Sequence, residues 1–313
     1  MFCRFTFFIF IGFLLFTGCT ASSNQFDPFV YGKVRKTIYS EGEEREYFLH
    51  IPSSYIGSKA LPVVIVLHNS GSSGEQFYNE SGWSKLCEKE SIFGVFPTAK
   101  TYCTDINGIS QNRSFWHVSP VADPPFCNGN LLRNDVLMMQ NLIERLTIDF
   151  NIDKKAIYIV GFGNGGQLAA KAGLEMGDKL AAKVEFAGSF SNDGTWNSTR
   201  NVPTFFQVGN NDLSFFNTQN QPDLALFSQA IQDKNNPLNK VVIAYGKAYG
   251  LQIEFVLSGD TNTLVKATFK DAINNPVLEM SLLKNVGHTY PAANVNINLA
   301  EQHWNWLKHF RLN

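Results

Sequence analysis

Three separated positions in the sequence together hold most of the parts of an acyl-transfer site. Residues 156–170 read "AIYIVGFGNGGQLAA", a buried strand passing through a tight glycine turn into a small-residue helix. That is the layout of a nucleophile elbow, in which G-x-S-x-G presents a serine hydroxyl on a sharp strand-to-helix turn. Here the central position is Gly163. Further on, "TFFQVGNND" places Asp212 just past a strand end, where a triad acid sits, and "NVGHTYP" puts His288 on a loop before the final helix. In such a triad the histidine deprotonates the nucleophile and the acid orients the histidine. Glycine carries no atom that His288 could deprotonate.

The remaining part is an oxyanion hole, made of backbone N–H groups aimed at the developing negative oxygen. "VVIVLHNSGSSG" offers His68, Asn69, Ser70 and Gly71 after a buried strand, with Asn69 and Ser70 the expected donors. Asn164 opens the elbow helix and supplies the other donor. Trp116 and His117, in the turn-rich segment 98–130, are candidates to line a ligand pocket, because a long loop in a compact domain is commonly functional. Ser70, Ser72, Ser189 and Ser191 also fall near strand ends, and none lies in an elbow pattern.

These residues need a sheet to hold them. "KVRKTIYS" and "REYFLHIP" read as paired antiparallel strands, "LPVVIVLH" as a strand buried on both faces, "SIFGVFP" as a short strand and "AIYIVGF" as the next buried strand, with "AKVEFAGSF" and "VPTFFQVG" following the elbow helix. Helices are expected over Glu75–Lys89, over "NDVLMMQNLIERLTIDF", near Pro222–Asp233 and in "NLAEQHWNWLKHF"; further strands are expected near 251–257, 263–270 and 277–284. Val136, Met139, Leu142, Ile143 and Leu146 give the second of these helices its apolar face. Alternating strands and helices imply a mostly parallel central sheet covered by helices on both faces, with sites at the carboxyl ends of the strands. Trp304 and Trp306 in the last helix read as packing residues.

The chain order of elbow, Asp212 and His288 is that of α/β-hydrolases. Taken with "REYFLHIP", "PVVIVLHNSG", "GWSKL", "VFPTA", "GFGNGG", "VGNND" and "GHTYP", the sequence resembles the secreted polyhydroxybutyrate-depolymerase and feruloyl-esterase-like family. The resemblance covers most of the chain and implies the α/β-hydrolase fold and carboxylic-ester chemistry. Family members read H-G after the first buried strand and carry serine in the elbow; Asn69 and Gly163 depart from both. Three functions follow: an impaired esterase scaffold that binds a small ester or saccharide-linked ester, an active hydrolase using water or another serine, and a structural or assembly lipoprotein with a vestigial pocket.

"GFGNGG" also fits the dinucleotide-binding pattern G-x-G-x-x-G. That pattern belongs in a first βαβ unit with an acidic residue about 20 positions on. Here it comes mid-chain and Glu175 and Asp178 follow too early, so no cofactor is expected. The histidines lack metal-ligand spacing, so no metal is expected either.

The N-terminus is of another kind. Arg4 precedes the apolar run "FTFFIFIGFLLFTGC", which reads as a secretory signal. Its ending resembles a bacterial lipobox, which implies cleavage after residue 18, a lipid on Cys19 and a tether to residue 30 ahead of one domain over 31–313. The expected location is exported and membrane-anchored, on the periplasmic or cell-surface side, with plain secretion as the alternative. Five cysteines are present; in an oxidising compartment Cys103 and Cys127 are the expected pair, with Cys87 a buried free thiol. A formal net charge of −1 over 313 residues gives no reason to expect nucleic acid as a partner.

Overall fold

A computed structural model describes residues 30–106, 108–119, 126–190, 198–290 and 297–313. The expected signal peptide, Cys19, the tether up to residue 29 and Ser191 lie outside the described residues. Tyr31–Asn313 form one compact unit.

In chain order the elements are β1 (Gly32–Ser40), β2 (Glu43–Ile51), β3 (Leu61–Leu67), α1 (Gly74–Glu80), α2 (Trp83–Glu90), β4 (Phe93–Pro97), β5 (Thr101–Ile106) and β6 (Ile109–Ser114). They continue with α3 (Asp135–Asp149), β7 (Ile152–Phe162), α4 (Asn164–Glu175), β8 (Ala182–Phe186), β9 (Thr204–Gly209), α5 (Phe227–Gln232) and α6 (Pro237–Tyr249). The last are β10 (Phe255–Asp260), β11 (Leu264–Lys270), β12 (Pro276–Leu283) and α7 (Leu299–Leu307). Ten strands form one sheet in the order β1-β2-β4-β3-β7-β8-β9-β12-β11-β10. The central run from β4 to β12 is parallel, and antiparallel strands extend it at both ends.

The parallel core follows from composition. Val63 to Leu67 of β3, Ile157 to Val160 of β7 and every residue of β8 and β9 are buried, as strands covered on both faces must be. α3 presents Val136, Met139, Leu142, Ile143 and Leu146 to the core. β3, β7, β8 and β9 therefore end at one edge of the sheet, where the loops holding Asn69, Gly163, Ser189 and Asp212 begin.

Four expectations need correction. Glu75–Lys89 is two helices, because Gly82 adopts a left-handed conformation (φ 81°) between them. Segment 98–130 contains the two-stranded hairpin β5–β6; its polar sequence "ISQNRS" is largely exposed and carries no hydrophobic alternation to betray it. The helix near Pro222–Asp233 shortens to a single 3-10 turn and α5. α6 was not anticipated, although Asn236 caps it, Pro237 starts it and Gly250 ends it in a left-handed conformation.

Candidate active site

β7 stops at Phe162 and α4 starts at Asn164, leaving Gly163 alone to reverse the chain with φ 55° and ψ −119°. Glycine enters this region without the clash a Cβ brings. The Gly163 N–H donates to Phe186 O at 2.8 Å and its carbonyl accepts from Gln167 N–H at 3.1 Å, so the turn is pinned to β8 and to its own helix.

Asp212 is fully buried just past β9. Its Oδ1 accepts from the N–H groups of Ser214 and Phe215, both at 3.0 Å, and its Oδ2 lies 2.8 Å from His288 Nδ1. Every acceptor direction that matters is used, so the carboxylate holds His288 in the tautomer with Nδ1 protonated. The His288 ring rests on Phe162 at 4.8 Å between centroids. Nε2 therefore points away from Asp212 and toward the elbow: a Cβ built on Gly163 lies 3.2 Å from it, and 3.2 Å from Asn69 Cβ.

The oxyanion-side loop is partly spent. Gly71 N–H donates to Ser114 O at 2.8 Å and Ser72 N–H to Asn69 O at 3.3 Å. Asn69 and Ser70 keep N–H groups with no protein acceptor among the described residues. Asn164 is first in α4, so its N–H has no intrahelical partner. The three expected donors thus keep their N–H groups unspent, with Asn69 and Asn164 flanking the Gly163 turn, whereas the Gly71 N–H is already used. His68 is structural: its Nδ1 donates to Asn69 O at 2.6 Å, its Nε2 accepts from Ala99 N–H at 3.0 Å, and burial lowers its pKa to about 4.

Trp116 and His117 do not line the cleft. Trp116 is fully buried; its Nε1–H donates to His68 O at 2.8 Å, its N–H donates to Asn164 Oδ1 at 2.7 Å and its carbonyl accepts from Asn164 Nδ2 at 3.2 Å. It fastens the elbow to the loop beyond β3. His117 is turned onto Arg133 O, and its N–H is taken by the buried Asp135 carboxylate. Cys103 and Cys127 form a disulfide and Cys87 is a buried free thiol, its pKa raised by burial. Ser72 Oγ donates to Gln76 and Ser189 Oγ to Glu185 at 2.6 Å, so neither is paired with His288.

A cleft of about 330 Å³ lies next to the turn, lined by Asn69, Phe162 and Thr289, the neighbours of Gly163 and His288, but not by those two residues themselves. Phe77, Phe162 and Tyr290 give it an aromatic side, and Ser72, Gln76 and Glu80 a polar one. A larger hollow of about 560 Å³ beside α3 includes none of the residues around His288. The sequence alone did not single out Tyr290. Its hydroxyl accepts from Trp83 Nε1–H at 2.8 Å, which leaves its own proton for His303 Nδ1 at 3.2 Å; His303 Nε2–H then donates to Gln207 Oε1 at 2.9 Å. This buried chain secures the loop carrying His288, and only the polar residue types inside an apolar helix hinted at it.

The family model described as phospholipase/carboxylesterase matches residues 55–214, a stretch that includes the elbow and Asp212. The chain belongs to that family. Over 172 residues it is 23% identical to "Bifunctional acetylxylan esterase/xylanase XynS20E" of Neocallimastix patriciarum, covering 55% of this chain and 22% of that protein. Over 143 residues it is 25% identical to "Feruloyl esterase B" of Piromyces equi, covering 46% of this chain and 24% of that protein. The matches thus span under a quarter of the length of either relative. Among solved structures, an acetyl xylan esterase from Aspergillus awamori superposes with a TM-score of 0.58 at 14% identity, over 88% of this chain and 99% of that one. An S-formylglutathione hydrolase from Agrobacterium tumefaciens gives 0.54 at 14% identity, over 91% and 98%. These likenesses establish the α/β-hydrolase fold, with its large and mostly parallel sheet.

Proposed function

We propose that the protein is an exported, Cys19-anchored binder of carboxylic esters on an esterase scaffold, with kinship to polyhydroxybutyrate depolymerases and feruloyl esterases and with Gly163 in the place of the attacking serine. The observation that carries this reading is the His288–Asp212 pair, whose Nε2 faces the Gly163 turn 3.2 Å from the position a Cβ would take. The base and its orienting acid are present, and the atom they would activate is missing.

An ester carbonyl seated against Asn164 N–H and the Asn69–Ser70 N–H groups is polarised as in an esterase. Without a nucleophile no acyl-enzyme forms. Removal of a triad nucleophile costs turnover on the order of a millionfold, leaving about a thousandfold over water from the oxyanion hole and binding. The ligand favoured is a sugar-linked ester: aromatic rings on one side of the cleft suit the apolar face of a pyranose, while Ser72, Gln76 and Glu80 suit its hydroxyls. A second reading has one observation in its favour. His288 Nε2 makes no hydrogen bond among the described residues and faces the position of the missing side chain, which favours slow general-base hydrolysis through a water as the residual activity.

Titration of the purified protein with an O-acetylated methyl glycoside, alongside hydrolysis of the same compound, tests both. Binding without turnover supports the first reading. Turnover that vanishes in His288→Ala replaces it with the second, and absence of both binding and turnover rejects the two together.

A further inference from the structure

The described residues contain seven arginines. Arg35, Arg45, Arg133, Arg145 and Arg311 each pair with a carboxylate. Arg200 has none, and donates instead to the carbonyls of Gly177 and Leu180 at 3.2 and 2.7 Å. Arg113 is the exception. It sits half-buried near the end of β6, has no carboxylate within 4.0 Å among the described residues, and makes one hydrogen bond, from Nη2 to Ser70 O at 3.3 Å. A guanidinium has five N–H donors in a planar fork, so most of its capacity is unspent.

Its position is built. Ser114 O takes the Gly71 N–H at 2.8 Å and Ser114 Oγ donates to Ser72 O at 2.6 Å, so the hairpin end is clamped onto the loop 70–72. The Cys103–Cys127 disulfide and Asn130, which bonds Cys103 N–H and O, brace the hairpin from behind. Gly71 makes room: a Cβ there would lie 2.8 Å from Arg113 Nε. Ser70 and Gly71 line the cleft beside the Gly163 turn, and the guanidinium packs directly against these two residues, next to the cleft lining rather than within it. Glu80 lines the same cleft on the α1 side and disfavours an anion there.

We propose that Arg113 is a specificity residue that recognises a carboxylate on the bound ester, so that the cleft selects an acylated acidic sugar over its neutral counterpart. The inference rests on the reading of the cleft as an ester site. The planar fork matches a carboxylate through two parallel hydrogen bonds, a geometry that lysine does not reproduce. The carboxylate is directed to the Arg113 end because Glu80 repels it from the other.

The test is a pair of calorimetric titrations on the purified protein at low salt, with a mono-O-acetylated methyl glucuronide and the matching methyl glucoside. The ratio of the two dissociation constants is the readout, because a general disturbance of loop 70–72 weakens both ligands and cancels. The glucuronide is expected to bind about tenfold more tightly. The ratio is expected to fall to about one in Arg113→Gln, to be only partly kept in Arg113→Lys, and to rise in Glu80→Gln. Equal binding of both probes by the wild type, or a ratio untouched by Arg113→Gln, overturns the Arg113 inference and leaves the ester site standing. Binding of neither probe overturns both.

Discussion

Substituting Gly163→Ser supplies the one atom group that the constellation lacks, and the structure sets what that should cost and return. A Cβ at this position has 3.2 Å contacts with Asn69 Cβ and His288 Nε2, and 3.5 Å with His288 Cε1, so these neighbours must yield by a few tenths of an ångström. The backbone at φ 55° and ψ −119° is unfavourable for any L-residue, at about 1–3 kcal/mol. Serine is therefore expected to lower stability by that order, measured by urea unfolding, and Gly163→Ala to lower it equally. The hydroxyl, one bond beyond Cβ, falls within hydrogen-bond reach of His288 Nε2. A complete triad nucleophile is worth on the order of a millionfold in turnover. A gain of at least about a thousandfold on 4-nitrophenyl acetate is expected, equivalent to about 4 kcal/mol in the barrier. It should come with an acyl-enzyme burst, vanish in Gly163→Ser/His288→Ala and be absent from Gly163→Ala. A folded Gly163→Ser protein that hydrolyses no faster than wild type, or whose gain survives loss of His288, would refute the reasoning.

Three further outcomes follow from buried polar groups. Tyr290→Phe strips Trp83 Nε1–H and His303 Nδ1 of their partner and should destabilise the fold by about 2 kcal/mol or more, read from the urea midpoint; a change below about 0.5 kcal/mol would contradict the chain drawn here. Burial lowers the pKa of His303 to about 3 and of His68 to about 4. Below the unfolded value of about 6.5 the unfolded chain takes up these two protons and the native protein does not, so stability is lost as pH falls from about 6.5 toward 4. These two protons contribute a slope of about 2.7 kcal/mol per pH unit, and His303→Gln should remove about half of that contribution in pH-dependent denaturation. Lys183 and Glu185 are fully buried and ion-paired, with Tyr245 and Ser189 completing the cluster. Glu185→Gln strands the ammonium and should cost about 3–5 kcal/mol, whereas Lys183→Met/Glu185→Leu should recover most of that loss.

The sheet was legible because its central strands are continuous apolar runs, and "VVIVL", "IYIV" and "TFFQV" have few other uses in a chain of alternating elements. The positions of Gly163, Asp212 and His288 were legible because strand ends in such a sheet converge on one edge. Residues that support the site from the side were not. β6 is polar and exposed, so nothing in "ISQNRS" announces that its end would clamp the loop at Ser70–Ser72. Trp116 read as a ligand contact because it lies in a loop-rich stretch, but its indole is buried and its N–H and carbonyl bind the Asn164 amide. Sequence spacing carries which strand ends meet; it does not carry which side chain turns inward between them.

The tautomer of His288 gives the glycine a positive consequence. With Nδ1–H donated to Asp212, Nε2 is a hydrogen-bond acceptor facing the Gly163 turn. In a complete triad a serine hydroxyl satisfies it; beside Gly163 the donor must come from water or from the ligand. On the proposed reading of an acylated glycoside as the ligand, a sugar hydroxyl adjacent to the acyl group fits that role, standing where the serine hydroxyl would be. Gly163→Ser then competes with the ligand for Nε2, and the same substitution that raises turnover should weaken ground-state binding. One hydrogen bond of about 1 kcal/mol corresponds to about fivefold in the dissociation constant. The measurement is titration of a non-hydrolysable ether analogue of the acylated glycoside into wild type and Gly163→Ser. Weaker binding by the serine variant, with no loss when the analogue's neighbouring hydroxyl is replaced by hydrogen, is the expected result. Tighter or equal binding of the hydroxylated analogue would show that His288 Nε2 does not meet the ligand, and would move the ligand away from the turn.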